Sequence, residues 1–95
     1  MHVITRRRLR EFAEKHKDAE EPLSVWFKLM STRDFGSFSE LQRVFGSIDK
    51  VGKFTVFDVG GNKFRLIAAI HYNRKKVYIR HVLTHAEYDR EKWKE

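Results

Sequence analysis

Residues 60–89 read GGNKFRLIAAIHYNRKKVYIRHVLTHAEYD, and this stretch decides the fold. Gly60-Gly61-Asn62 is a tight-turn signal. Lys63 to His71 and Val77 to Leu83 are rich in β-branched and apolar residues, which predicts two strands. Asn73 to Lys76 between them is a polar turn. Thr84 and Glu87 have the spacing of a capping box, in which each side chain bonds the other residue's backbone N–H. A helix is therefore expected from Thr84 through about Trp93. The stretch also holds Asn62, Arg65, Arg80, His81, His85 and Tyr88, most of the side chains able to do chemistry.

Upstream, Phe54 to Val59 is a strand with Phe54 and Val56 on one side and Phe57 and Val59 on the other. Both sides are apolar, which predicts a central strand. Ser47 to Gly52 reads as a loop. Ser37 and Glu40 have capping-box spacing ahead of a helix with Leu41, Val44 and Phe45, and Gly46 ends it. Pro22 suits the first turn of a longer helix. Its stripe of Leu23, Trp26, Phe27 and Met30 has helical spacing and reads as core. Lys17 to Glu21 is a charged loop. His2 to Ile4 fits a short edge strand, and Thr5 fits the N-cap of a helix running to about His16. The order predicts an α+β fold: an antiparallel sheet with helices packed on one face, the other face left available.

The chain has 95 residues, 41% of them hydrophobic, which suits one domain over 1–95 with a real core. With no cysteine, disulfide frameworks and cysteine-based zinc sites are excluded, and a cytoplasmic location fits. No apolar run is long enough for a membrane span, and no apolar stretch follows the basic N-terminus as a secretory signal requires. Net charge is +7, and it is uneven. Residues 1–45 carry nine Lys/Arg against seven Asp/Glu, whereas residues 46–95 carry eleven against six. A basic half points to a polyanion such as nucleic acid, or else to a solvated face kept for solubility. The same two readings apply to Arg6, Arg7, Arg8 and Arg10.

Hairpin parity places the candidate cations. If the turn after Tyr72 has an even number of residues, Ala69 lies opposite Arg80. Arg65 then shares that face, because strand faces repeat every second residue. Two guanidinium groups on one face can converge on a phosphate. His85 falls in the first turn of the capped helix, with Tyr88 three residues on, so both lie on one side. They read either as docking residues or as a proton-transfer pair. With the arginines they form a set suited to RNA cleavage: a base for the 2′-hydroxyl, cations for the transition state, and an acid for the leaving oxygen. That chemistry needs no metal or other cofactor. His81 and His85 straddle a strand–helix junction and lack the helical spacing of a zinc pair.

Gly61-Asn62, Phe64-Arg65, Ile79-Arg80 and Thr84-His85-Ala86-Glu87-Tyr88-Asp89, with the MHVI start and the Trp26 helix, carry a family likeness. The chain resembles HigB-type toxins of type II toxin–antitoxin systems, a branch of the RelE-like mRNA interferases. The resemblance implies a RelE-like fold and an endoribonuclease that cuts mRNA, commonly on the ribosome. It also implies inhibition by a cognate helix-turn-helix antitoxin (HigA-like). By position it assigns functional roles to Arg65, Arg80, His85 and Tyr88, with Asn62 and Lys53 beside them. Lys63, Arg74, Lys75 and Lys76 are expected contacts to the RNA backbone. The competing expectation is a non-catalytic basic module that binds RNA or the ribosome and blocks translation.

Overall fold

The computed structural model describes residues 1–90 and 93. Its strands are β1 (His2–Ile4), β2 (Ile48–Val51), β3 (Phe54–Val59), β4 (Phe64–His71) and β5 (Lys76–Thr84). They form one sheet in the order β1-β5-β4-β3-β2. β2 to β5 run antiparallel in succession, and β1 adds to β5 in parallel. Helices α1 (Arg7–Lys15), α2 (Glu20–Thr32) and α3 (Phe38–Phe45) pack on one face, and α4 (His85–Asp89) follows β5. This is the α+β arrangement expected from the order of elements.

The main core lies between those three helices and the sheet. Leu66, Ala68, Val77 and Ile79 meet Leu23, Trp26, Met30 and Leu41, all buried. The aromatic stripe of α2 is core, as its spacing predicted: Trp26 meets Phe57 edge-on at 5.4 Å. α1 docks through Phe12, whose ring lies 5.3 Å from that of Phe64. A second, smaller cluster sits on the opposite face. Val56, Ile67 and Trp93 are buried there, with Phe54, Leu83 and Tyr88 packed against them. That face is therefore covered at one end by Tyr88 and Trp93, and among the described residues no helix packs on the remainder.

Several local expectations are corrected. Ser47 to Gly52 is not a loop, since Ile48–Val51 pairs with β3 and closes on it through Gly52 and Lys53. Two charged residues in a four-residue strand hid its pattern, while Gly52, with φ 59°, was the available hairpin signal. Thr5 does not cap α1. It takes a left-handed φ of 72°, and no side chain caps the helix. The parallel step from β1 into a helix on one face requires a sharper turn than an extended N-cap gives. The charged Lys17–Glu21 loop is a 3-10 turn at Lys17–Ala19, after which α2 begins at Glu20. Ser37 caps Glu40, but Glu40 turns its carboxylate to the N–H of Gly36. The box at Thr84 and Glu87 forms in full. α4 ends at Asp89, and the expected continuation through 91 and 92 lies outside the described residues.

The hairpin turn is Tyr72 to Lys75, four residues and so even, one position earlier than expected. Ala69 pairs with Tyr78, not with Arg80. A bulge intervenes: Ala68 pairs with Ile79 but Ile67 with His81, leaving Arg80 as the extra residue. The guanidinium of Arg80 lies 5.4 Å over the Tyr78 ring. Tyr78 is opposite Ala69 and hence on the face of Arg65, so Arg80 reaches that face as well.

Candidate active site

Among the described residues Arg65 is the one buried Lys or Arg, with only 7% of its surface exposed. A buried guanidinium needs its donors satisfied. Its Nε lies 3.0 Å from an Asp58 carboxylate oxygen. One terminal nitrogen donates to the carbonyls of Asn62 (3.1 Å) and Phe64 (3.2 Å), the other to the Asn62 side-chain oxygen at 2.7 Å. The group also faces the Tyr88 ring at 5.4 Å. The strand ladder explains the pairing, since Asp58 and Arg65 are cross-strand partners. Asn62 is fixed in a left-handed conformation, φ 77°, in the turn that joins β3 to β4.

The same turn anchors α4. Phe64 pairs with Thr84, and the N–H of His85 donates to the Lys63 carbonyl at 3.0 Å. The capping box then sets the first turn of the helix. The Thr84 hydroxyl accepts from the Glu87 N–H at 3.2 Å, and the Glu87 carboxylate accepts from the Thr84 N–H at 2.9 Å. His85 Nδ1 lies 3.1 Å from Asp89 Oδ2, one helical turn on, and both side chains are exposed. With Nδ1–H donated to the carboxylate, Nε2 is left as the imidazole's acceptor toward solvent. Tyr88 stacks on Trp93 with ring centroids 5.1 Å apart, and the Trp93 indole N–H donates to the Tyr88 carbonyl at 3.1 Å.

The predicted residues thus fall into two neighbouring groups. Asn62, Arg65, Tyr88 and His85 gather at the β5–α4 junction. Arg80 lies back along β5 beside Tyr78. His85 follows Arg80 by five residues, so their backbones are at most about 17 Å apart at strand spacing. His81, next to Arg80, has its pKa lowered by burial first, then by the Arg8 and Arg80 charges. Lys63 makes an exposed ion pair with Asp18 at 3.5 Å. Lys75 is drawn away to Asp34 at 3.3 Å, on the side of the N-terminus. Lys76 pairs with His71 and His2 on the Tyr78 face, while Arg74 is exposed in the turn. Lys53 lies with its ammonium 5.5 Å from the Phe54 ring, at the rim of the second cluster. Arg6 of the basic helix packs its guanidinium over Phe27 at 4.3 Å, so part of that charge serves the α1–α2 contact.

Sequence reasoning missed Asp58, Asp89 and Tyr78. Each had a signal: a lone charge in the apolar strand FTVFDV, a carboxylate four residues after His85, and an aromatic two residues before Arg80. Among the described residues, no three His, Asp or Glu side chains cluster as metal ligands do.

A family model described as HigB_toxin, RelE-like toxic component of a toxin-antitoxin system, matches residues 19–91. A protein of Escherichia coli (strain K12) named mRNA interferase toxin HigB is 37% identical over 92 residues, spanning 94% of this chain and 88% of the relative. The mRNA interferase HigB of Shigella flexneri matches to the same extent. That of Escherichia coli O6:H1 is 32% identical over 93 residues, 95% of this chain and 90% of the relative.

Proposed function

The chain belongs to the family of HigB-type, RelE-like toxins of toxin–antitoxin systems, and we infer that it is an endoribonuclease that cuts mRNA at the β5–α4 junction. The toxin role and the mRNA substrate rest on the family and on the names of its close relatives. The assignment of residues rests on the geometry. One observation carries it: His85 and Asp89 form a pair at 3.1 Å on an exposed helix start. This is how a base is oriented, because the carboxylate fixes the tautomer and leaves Nε2 free to accept a proton.

In this reading Nε2 of His85 takes the 2′-hydroxyl proton. The resulting 2′-oxygen attacks the adjacent phosphorus, and the bond from phosphorus to the 5′-oxygen breaks. The products are a 2′,3′-cyclic phosphate and a 5′-hydroxyl, whose proton comes from solvent. Tyr88, held between Arg65 and Trp93, orients the leaving side. Arg80 supplies the cation for the phosphate charge, with Lys53, Lys63, Arg74 and Lys76 along the backbone track. Arg65 acts as a positioning residue, because it is buried and Asp58, Asn62 and Phe64 take most of its donors. No metal enters these steps.

The family supports an antitoxin partner and an mRNA substrate. We further propose that the antitoxin is a helix-turn-helix protein of HigA type and that the message is cut on the ribosome, in the cytoplasm. The described helices include none long and apolar enough to cross a membrane.

The test is cleavage of a defined message in a translation mixture. His85→Ala is expected to lower the single-turnover rate about 100-fold or more, the scale of general-base catalysis. Asp89→Asn is expected to lower it less, with a changed pH profile. Wild-type rates for both would overturn the assignment. Translation arrest by the wild type without cut message would favour the non-catalytic module.

A further inference from the structure

We propose that Tyr78 is a base-stacking residue that holds a nucleotide of single-stranded RNA beside the phosphate bound by Arg80. The proposal rests on the mRNA-cleavage reading above and names how the substrate is gripped. Tyr78 is an aromatic residue on a central stretch of sheet, the place where rings normally enter the core. Yet it is only half-buried and joins neither apolar cluster. Its surroundings are polar and cationic instead. The Arg80 guanidinium lies 5.4 Å over its ring, and the His71 ring meets it edge-on at 5.2 Å and 82°.

The location suits an occupant with a flat face and a negative backbone. Across the sheet Tyr78 lies between Ile4 of β1 and Ala69 of β4, and a methyl group is the smallest side chain that could flank the ring on the β4 side. Tyr88 and Trp93 cover the far end of this face, with Val56 and Ile67. The near end keeps His71, Lys76, Tyr78 and Arg80, with His2 of β1 beside Lys76. β1, β4 and β5 contain no Asp or Glu at all, so nothing in these strands offsets the positive charge. Single-stranded RNA is held in this way: bases stack on aromatic rings or guanidinium planes while neighbouring cations hold the phosphates. Strand alternation puts Arg80 on the face of Tyr78, and the bulge leaves Arg80 as the extra residue with no partner opposite it on β4.

A purely structural role predicts something different, namely that the ring only props the Arg80 side chain. The two are separated with messages that each carry one abasic nucleotide near the cut, cleaved by purified toxin in a ribosome-containing mixture under single-turnover conditions. One abasic position is expected to slow the wild type about tenfold, within the range for one stacked base. Tyr78→Leu is expected to cut the intact message about tenfold more slowly and to be indifferent to that abasic position. Tyr78→Phe, which keeps the ring, is expected to behave like the wild type. Tyr78→Thr serves in place of the leucine variant if that variant does not fold. A Leu or Thr variant as sensitive as the wild type to every abasic position would overturn the proposal, and so would a wild type indifferent to all of them. A wild type that cuts none of the messages, intact ones included, would instead sink the cleavage reading itself.

Discussion

At the scale of single residues, the account turns on which cations are free and which are committed. Arg65 looked from the sequence like one of two equivalent phosphate ligands. Its partners show why a strand position alone did not settle this: Asp58 is its neighbour only across the β3–β4 ladder. Asp58→Ala leaves a buried guanidinium short of its counter-charge. It is expected to destabilise the fold by about 3 kcal/mol, the low end for a broken buried pair because Asp58 keeps some contact with water. Urea denaturation measures this. His81 gives a pH prediction. Its folded-state pKa lies below the ordinary 6.5, through burial and the Arg8 and Arg80 charges. As pH falls, the unfolded chain takes up the proton first. The contribution of His81 to stability is therefore complete above the unfolded value and is lost as pH drops through the folded one. Urea midpoints of wild type are expected to fall more between pH 7 and pH 5 than those of His81→Gln.

At the scale of elements, the helix signals of α2, α3 and α4 were legible, while the Thr5 cap, the β2 strand and the registers were not. The Thr84–Glu87 box, the Gly46 stop, the Trp26 stripe and the central β3 strand stand as expected, since each is written in residues close together in the chain. β2 and the β5 bulge escaped, because both depend on a partner strand distant in sequence. The bulge matters most. The even turn alone put Arg80 on the face of Arg65, but it misjudged the partner of Ala69; the observed register sets Arg80 between the partners of Ala68 and Ile67, nearer to Arg65 than a place opposite Ala69. The Thr84 cap is where helix stability and chemistry meet. Thr84→Ala is expected to cost about 1 kcal/mol and to lower cleavage more than stability, since His85 and Tyr88 take their direction from that turn. Thermal melts and single-turnover rates on one preparation separate the two effects. Gly60, with φ 66° and an added Cβ only 3.0 Å from the Phe64 ring, tolerates no side chain without a shift. Gly60→Ala is expected to destabilise by more than about 1 kcal/mol, because it strains the turn that carries Asn62 and anchors His85.

At the scale of the whole molecule, three helices fill one face of a sheet, and Tyr88 and Trp93 close one end of the other. The open part carries Lys76 and Arg80 of β5, with His71 of β4 beside them, and no carboxylate from those strands. The excess charge of the second half of the chain, noticed first as composition, thus becomes a directed surface. RNA binding through it is expected to weaken steeply with salt, and Lys76→Ala is expected to flatten that dependence by about one phosphate contact without changing which base is preferred. The central claim is that this surface and the β5–α4 junction cut message rather than merely bind it. Mapping of 5′ ends by primer extension, in cells induced for the toxin without its antitoxin, tests it most directly. The account predicts new 5′ ends within messages for the wild type and their loss in His85→Ala, at equal protein levels. Growth arrest by the wild type with no new ends would contradict it.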